Sequence, residues 1–208
     1  MPLPVCILAT LAGMQDVLAQ DDTALSFDGF YVGAALGFAE GSGDADAPVL
    51  SGGTTNEPFD ADTGQAYSVF GGYQMRLEDY VLGAEARYVN LSDVAESSAS
   101  GSEDREVTGV TDFRGRIGYV TGDWMFYGAL GWSWANFRVH PGVGFGGRDN
   151  STTLDGLNYG LGAEYMISNR WSLGADLTFR DLSGDFGEAS RTSDIDVNTF
   201  SMRLGYQF

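Results

Sequence analysis

Lysine is absent from this chain: all 11 basic residues are arginine, and 29 acids oppose them. A Walker-type phosphate loop is therefore excluded, because that motif needs a lysine after its glycines. The glycine-rich stretch from Gly142 to Gly147 also has no helix pattern behind it. The acid excess argues against nucleic acid as a partner, since affinity for a polyanion comes from basic side chains. Histidine occurs once, as His140, so no second imidazole can help it hold a metal, and neither a metal nor any other cofactor is expected. Cysteine also occurs once, as Cys6, with too little apolar sequence before it for a lipoprotein signal. Finally, no run of about 18 apolar residues exists to make a transmembrane helix. If the chain crosses a membrane, it does so with strands.

What is abundant is glycine, with 30 residues, and aromatic side chains, with 13 Phe, 10 Tyr and 4 Trp. Glycine suits tight turns and crowded barrel interiors, while aromatics suit the two interfaces of a membrane. The 208 residues fit one domain, without a repeat of solenoid type. At the N-terminus, Val5 to Ala12 read as a short apolar export core and Val17-Leu18-Ala19 as a cleavage motif, although no basic residue precedes the core. The expected division is a signal peptide over residues 1–19 and a barrel domain over 20–208. Removing residues 1–19 deletes Asp16 alone among the charges, which leaves a mature net charge of −17 and no cysteine.

Eight alternating segments can be laid out along the rest. They run approximately from Phe27 to Glu40, Gln65 to Met75, Tyr80 to Leu91, Val107 to Val120, Trp124 to Phe137, Leu154 to Ile167, Trp171 to Leu182 and Ile195 to Phe208. Three connections are tight, at residues 76–79, 121–123 and 168–170. The other four are long and polar, at about 41–64, 92–106, 138–153 and 183–194. Strict alternation of short and long connections is the pattern of an up-and-down antiparallel barrel, with short periplasmic turns, long extracellular loops and both termini on the periplasmic side. Acids crowd three polar intervals, Asp44 to Asp62, Asp93 to Glu106 and Asp181 to Asp194, which read as solvated loops, with divalent-cation binding as the sharper alternative.

The faces of the strands decide what surrounds the barrel. In the last segment Phe200, Met202, Leu204, Tyr206 and Phe208 share one face, and Thr199, Ser201, Arg203, Gly205 and Gln207 share the other. Trp124, Phe126, Leu130, Trp132 and Trp134 are opposed in the same way by Met125, Tyr127, Ala129, Gly131 and Ser133. A narrow eight-stranded lumen cannot hold four tryptophans and most of the phenylalanines, yet it can hold Gly, Ser, Thr and ion pairs. The apolar face is therefore assigned to lipid. Tyr80, Tyr119, Trp124, Trp171, Tyr206 and Phe208 are expected at the periplasmic interface, and Tyr67, Tyr88, Trp134, Tyr159 and Phe179 at the outer one. The predicted fold is an all-β, eight-stranded antiparallel up-and-down transmembrane barrel.

The terminal Leu204-Gly-Tyr-Gln-Phe208 resembles the C-terminal signal by which bacterial outer-membrane barrels are recognised for assembly, with Leu204, Tyr206 and Phe208 as its apolar positions. The first strand, from Phe27 to Phe38, resembles the opening of the small porin-like, opacity-type surface antigens of alphaproteobacteria, and the likeness continues through Gly160 to Tyr165. This resemblance implies a cell outer-membrane location. Its implied partners are outer-membrane lipid, lipopolysaccharide and the barrel assembly machinery. The family includes structural barrels, adhesins and occasional ligand binders.

If the polar face lines the interior, it collects Glu85, Arg87, Asp112, Arg114, Arg116, Glu164, Asp176, Arg180 and Arg203. Buried charges must be paired and hydrogen-bonded, so a near-balance of arginines and carboxylates reads as a structural plug, with a selective pore as the alternative. Asp176 and Arg203, at similar heights on neighbouring strands, are expected to meet. Enzymatic readings fare poorly. Ser151 and Asp149 lie near His140, but lipid A deacylases of the outer membrane place His and Ser on a membrane-facing strand, and this His sits beside Pro141 and Gly142. The expected function is a structural, non-enzymatic barrel supporting envelope integrity, with adhesion or ligand or cation binding through the long loops as the alternative. No peptidoglycan-binding domain follows Phe208, so a firm tether to the wall through this chain is not expected.

Overall fold

The computed structural model describes residues 27–49, 53–92, 95–97, 103–141, 150–186 and 191–208. The strands are β1 (Gly29–Val49), β2 (Gly53–Leu77), β3 (Tyr80–Ser92), β4 (Ala95–Ser97), β5 (Glu103–Thr121), β6 (Trp124–Pro141), β7 (Asn150–Met166), β8 (Trp171–Phe186) and β9 (Arg191–Gln207). Each pairs antiparallel with its neighbours. β1 pairs with β9, and β3 with β5, so the sheet closes on itself as an eight-stranded barrel. The three-residue β4 adds a short rung on β5 above the end of β3. Closure satisfies the backbone polar groups between strands and leaves no edge in the spanning region, which is what a β-structure needs in hydrocarbon.

The three tight connections are where the spacing places them. Glu78 and Asp79 join β2 to β3, Gly122 and Asp123 join β5 to β6, and residues 167–170 join β7 to β8. Gly122 has φ +58°, in the left-handed region that glycine enters without a Cβ penalty. The opposite end differs from the sequence reading. Much of what polarity marks as long loop is strand: β1 and β2 stay in register from Gly41 opposite Ala61 out to Val49 opposite Gly53, and β8 and β9 out to Phe186 opposite Arg191. Antiparallel ladders propagate on backbone hydrogen bonds whatever the side chains, so the loss of apolar residues at about position 41 marks the end of the lipid-facing band, not of the strand. Register shifts between Ala39 and Gly41, and between Val107 and Gly109, lie close to that boundary.

Period-two alternation sorts the side chains. Leu36, Ile117, Leu161 and Phe208 point outward and are 60% exposed or more, with no protein to cover them. A continuous apolar band of this kind around the whole circumference requires lipid. All four tryptophans face outward. Near the turn end, outward aromatics pair from strand to strand, with ring centroids 5.5 Å apart for Tyr80 and Tyr119, 5.0 Å for Trp124 and Tyr165, and 5.1 Å for Trp171 and Tyr206. Farther up, Tyr159 stacks on Phe179 at 5.4 Å. These are the two aromatic belts expected of a spanning barrel.

The inward side chains sort into three layers. Buried aliphatics occupy the upper layer, and all eight barrel strands contribute at least one, among them Ala39, Ala66, Val89, Val110, Ala135, Leu154, Leu182 and Val197. Charged and polar groups make up the middle layer together with Tyr31, Ala35 and Phe70. Phe27, Val81, Val120, Met125, Tyr127 and Met166 form the lower layer at the turn end.

Candidate functional site

The middle layer contains five buried arginines, Arg87, Arg114, Arg116, Arg180 and Arg203, and four buried carboxylates, Glu85, Asp112, Glu164 and Asp176. β3 and β5 bring Glu85 directly opposite Arg114, and Arg87 opposite Asp112, because their inward-facing positions coincide in register. The ion pairs then reach well beyond neighbouring strands. Arg87 on β3 donates from Nη1 to Asp176 Oδ1 on β8 at 2.9 Å. In the ring β1, β2, β3, β5, β6, β7, β8, β9, those two strands are diametrically opposed, so this bond spans the bore.

Glu85 is the hub. It accepts from Arg114 Nη2 at 2.7 Å, from Arg116 Nη1 at 3.1 Å, from Arg203 Nη2 at 2.6 Å and from the Tyr31 hydroxyl at 3.0 Å. Asp176 takes Arg114 Nη2 at 2.8 Å and the Tyr127 hydroxyl at 3.1 Å in addition to Arg87. Arg116 reaches Glu164 at 2.6 Å. Above these, Arg180 grips Asp112 with both Nε, at 3.0 Å, and Nη2, at 2.7 Å, and its Nη1 donates to Thr199 at 2.8 Å. Asn158 donates to Ser133, and Ser133 to Asp112, which closes the top of the network.

Five guanidiniums face four carboxylates, and aromatic rings offset the difference. The Arg116 guanidinium carbon lies 3.9 Å from the centroid of Tyr127, and that of Arg203 lies 3.9 Å from the centroid of Phe70. A desolvated cation gains from a ring face what it lacks in counter-charge. Glycine creates the room for these rings. A methyl at Gly162 would lie 2.3 Å from Tyr127 Cζ, and one at Gly33 would lie 2.3 Å from Phe70 Cζ.

The nine charged residues singled out by the sequence thus share one layer of the bore. Asp176 and Arg203 touch, at 3.4 Å between Asp176 Oδ2 and Arg203 Nη1. Their register is offset, since Asp176 pairs with Ser201 and Arg203 with Gly174, and Arg203 makes its shorter contact with Glu85. The sequence reading put Tyr127 on the inward face of its strand but missed Tyr31 and Phe70 as interior groups. The available signal was the inward parity of each, opposite inward glycines on adjacent strands. It also missed the upper aliphatic layer, although Val89, Val110, Leu154, Leu182 and Val197 continue the inward parity of the charged positions.

Of the alternative site, Asp149 and the stretch 142–147 lie outside the described residues, as do residues 1–26 with the expected signal segment and Cys6. His140 sits in β6 opposite Asp104, and Ser151 in β7 opposite Arg138, so His140 and Ser151 are not register partners. Among the described residues, no group of three or more His, Cys, Asp or Glu could hold a metal ion. Leu204 and Phe208 of the terminal motif face outward and Tyr206 is half-buried among aromatics, while the Phe208 amide donates to Phe30 O at 3.0 Å.

Comparison with known proteins agrees with this architecture. The family model described as outer membrane protein beta-barrel domain matches residues 5–208. A 31 kDa outer-membrane immunogenic protein of Brucella melitensis is 31% identical over 152 residues, which cover 66% of this chain and 63% of that protein. The chain therefore spans somewhat less than two thirds of the length of that relative. Among solved structures, Neisserial surface protein A superposes with a TM-score of 0.54 at 17% identity, covering 87% of this chain and 98% of that one. Ail, the attachment invasion locus protein of Yersinia pestis, in complex with the heparin analogue sucrose octasulfate, gives 0.53 at 14% identity, covering 87% and 99%. At such identities the likeness concerns the fold alone.

Proposed function

Because the chain belongs to the outer membrane protein beta-barrel family and its place is the cell outer membrane, we propose that it is a structural, non-enzymatic barrel that supports envelope integrity through a largely filled lumen. The observation that carries this reading is the bond from Arg87 to Asp176 across the full bore, within a network in which Glu85 and Asp176 each contact three guanidiniums. Charges paired so closely leave no wide aqueous path, and eight-stranded barrels are narrow enough for side chains to fill them. In this reading the turn end faces the periplasm, and the acid-rich hairpins rise on the cell surface among lipopolysaccharide. Outer-membrane lipid surrounds the exposed apolar band, and the barrel assembly machinery receives Leu204, Tyr206 and Phe208.

A surface-binding role through the hairpins is the second reading, and the β1 and β2 ladder that continues to Val49 and Gly53 favours it. Such an arm is a rigid platform of the kind on which binding residues are carried. A sulfated glycan such as the one held by Ail suits this chain poorly, because Asp and Glu outnumber Arg in three of its four outer segments. The two readings separate in a deletion strain. Loss of barrier function towards detergents and bulky antibiotics, restored by a chain trimmed between residues 44 and 62, supports the structural role. Restoration only by the untrimmed chain, together with lost adhesion, overturns it in favour of binding.

A further inference from the structure

Phe27 stands just ahead of β1 yet is only 1% exposed. It packs with Val81 on β3, Val120 on β5, Met125 and Tyr127 on β6 and Met166 on β7. In barrel order these strands form the wall facing β1, so the chain turns inward before its first strand and lays Phe27 across the bore at the turn end. Gly29, with φ +100°, permits the change of direction, since an L side chain is strained there. Hydrogen bonds on both sides of the closing seam hold the turn. Asp28 Oδ1 accepts from the Arg76 amide at 2.8 Å, and Asp28 O accepts from Gln207 Nε2 at 2.6 Å. Gln74 Nε2 in turn donates to Gln207 Oε1 at 3.3 Å.

We infer that the segment entering β1 is a built-in stopper, in which Phe27 seals the periplasmic mouth of the bore and Gln207 latches it once β9 has paired with β1. The latch needs both ends of the barrel strand order, because the Asp28 carbonyl ahead of the first strand accepts from the Gln207 side chain that ends the last. The seal is thus completed only in a closed barrel. The aliphatic layer at the other end lies above the charge network, so the charged layer sits between two apolar barriers. This inference rests on the filled-bore reading only for the layer above the stopper.

Thiol accessibility tests it, in a Cys6→Ser background that leaves no other cysteine. Val81→Cys reports on the mouth and Ala35→Cys on the middle of the bore, each in folded, detergent-solubilised protein treated with a small charged thiol reagent. With Phe27 present, both sites should react slowly. Phe27→Ala should speed reaction at Val81→Cys by tenfold or more and leave Ala35→Cys slow, whereas Phe27→Leu, which refills the space, should restore protection. Gln207→Ala should give intermediate rates at Val81→Cys. If Phe27→Ala gives no heat-modifiable band, Phe27→Val carries the same comparison with less volume removed. Equal rates at Val81→Cys with and without the ring would overturn the stopper. Rapid reaction at Ala35→Cys in the Phe27 protein would instead overturn the filled bore.

Discussion

Arg203 on β9 reaches over β1 and β2 to donate from Nη2 to Glu85 Oε2 on β3 at 2.6 Å. The last strand of the chain is thereby tied to the third across the seam where the barrel closes. The same carboxylate holds Arg114 and Arg116, so loss of Glu85 takes a partner from three guanidiniums at once. Glu85→Ala is expected to cost on the order of 3 to 5 kcal/mol, the range for removing one partner of a buried pair. Glu85→Gln should cost less, because the amide oxygen still accepts. Urea titration of the folded protein in lipid checks both, and a loss within about 1 kcal/mol for Glu85→Ala would place the site in water.

Asp176 distinguishes its partners by distance, at 2.9 Å from Arg87, 2.8 Å from Arg114 and 3.4 Å from Arg203. Double-mutant cycles should rank accordingly. Asp176→Ala with Arg87→Ala should be strongly non-additive, and Asp176→Ala with Arg203→Ala less so, since Arg203 keeps Glu85. Equal coupling in the two cycles would contradict this geometry.

Gly162 lies under the Tyr127 ring, and that ring is held by the guanidinium of Arg116. Gly162→Ala is expected to destabilise the barrel by about 1 to 3 kcal/mol, the usual effect of overpacking. Adding Tyr127→Leu should recover part of the loss. Thermal unfolding in detergent, followed by gel mobility, reads both changes.

Phe208 contributes its backbone amide to Phe30 O and its ring to Tyr206, at the seam but outside the bore. Deletion of Phe208 is expected to slow insertion in cells more than it destabilises the barrel once folded. Pulse-labelled cells should show less heat-modifiable protein, whereas purified protein lacking Phe208 should unfold close to the parent. Unchanged insertion kinetics would remove its role in assembly.

The architecture was readable because its physics is local. Parity along each strand sorts Phe200, Met202 and Leu204 from Ser201 and Arg203 whatever the neighbouring strands do, and short turns announce themselves by Gly122 and Asp123. The composition of the charged layer was readable for the same reason. Its wiring was not, because partners such as Arg87 and Asp176 depend on the closure and register of the whole ring. The extent of the strands was misread at the outer end, where β1 and β2 continue through Asp44 and Asp60 on backbone pairing that polarity does not report. Phe27 escaped as an interior group although the sequence reading began the first strand there, because β1 starts only at Gly29, whose φ of +100° turns the chain across the bore in a way that alternation does not report.

The central claim is that the polar faces of the strands fill the bore, and solute passage tests it most directly. Liposomes containing the purified, heat-modifiable protein should not swell in an isosmotic disaccharide solution beyond protein-free controls, because the bond from Arg87 to Asp176 and the aliphatic layer above it obstruct the path. Rapid, reproducible swelling in the disaccharide would require an open lumen and would contradict the account.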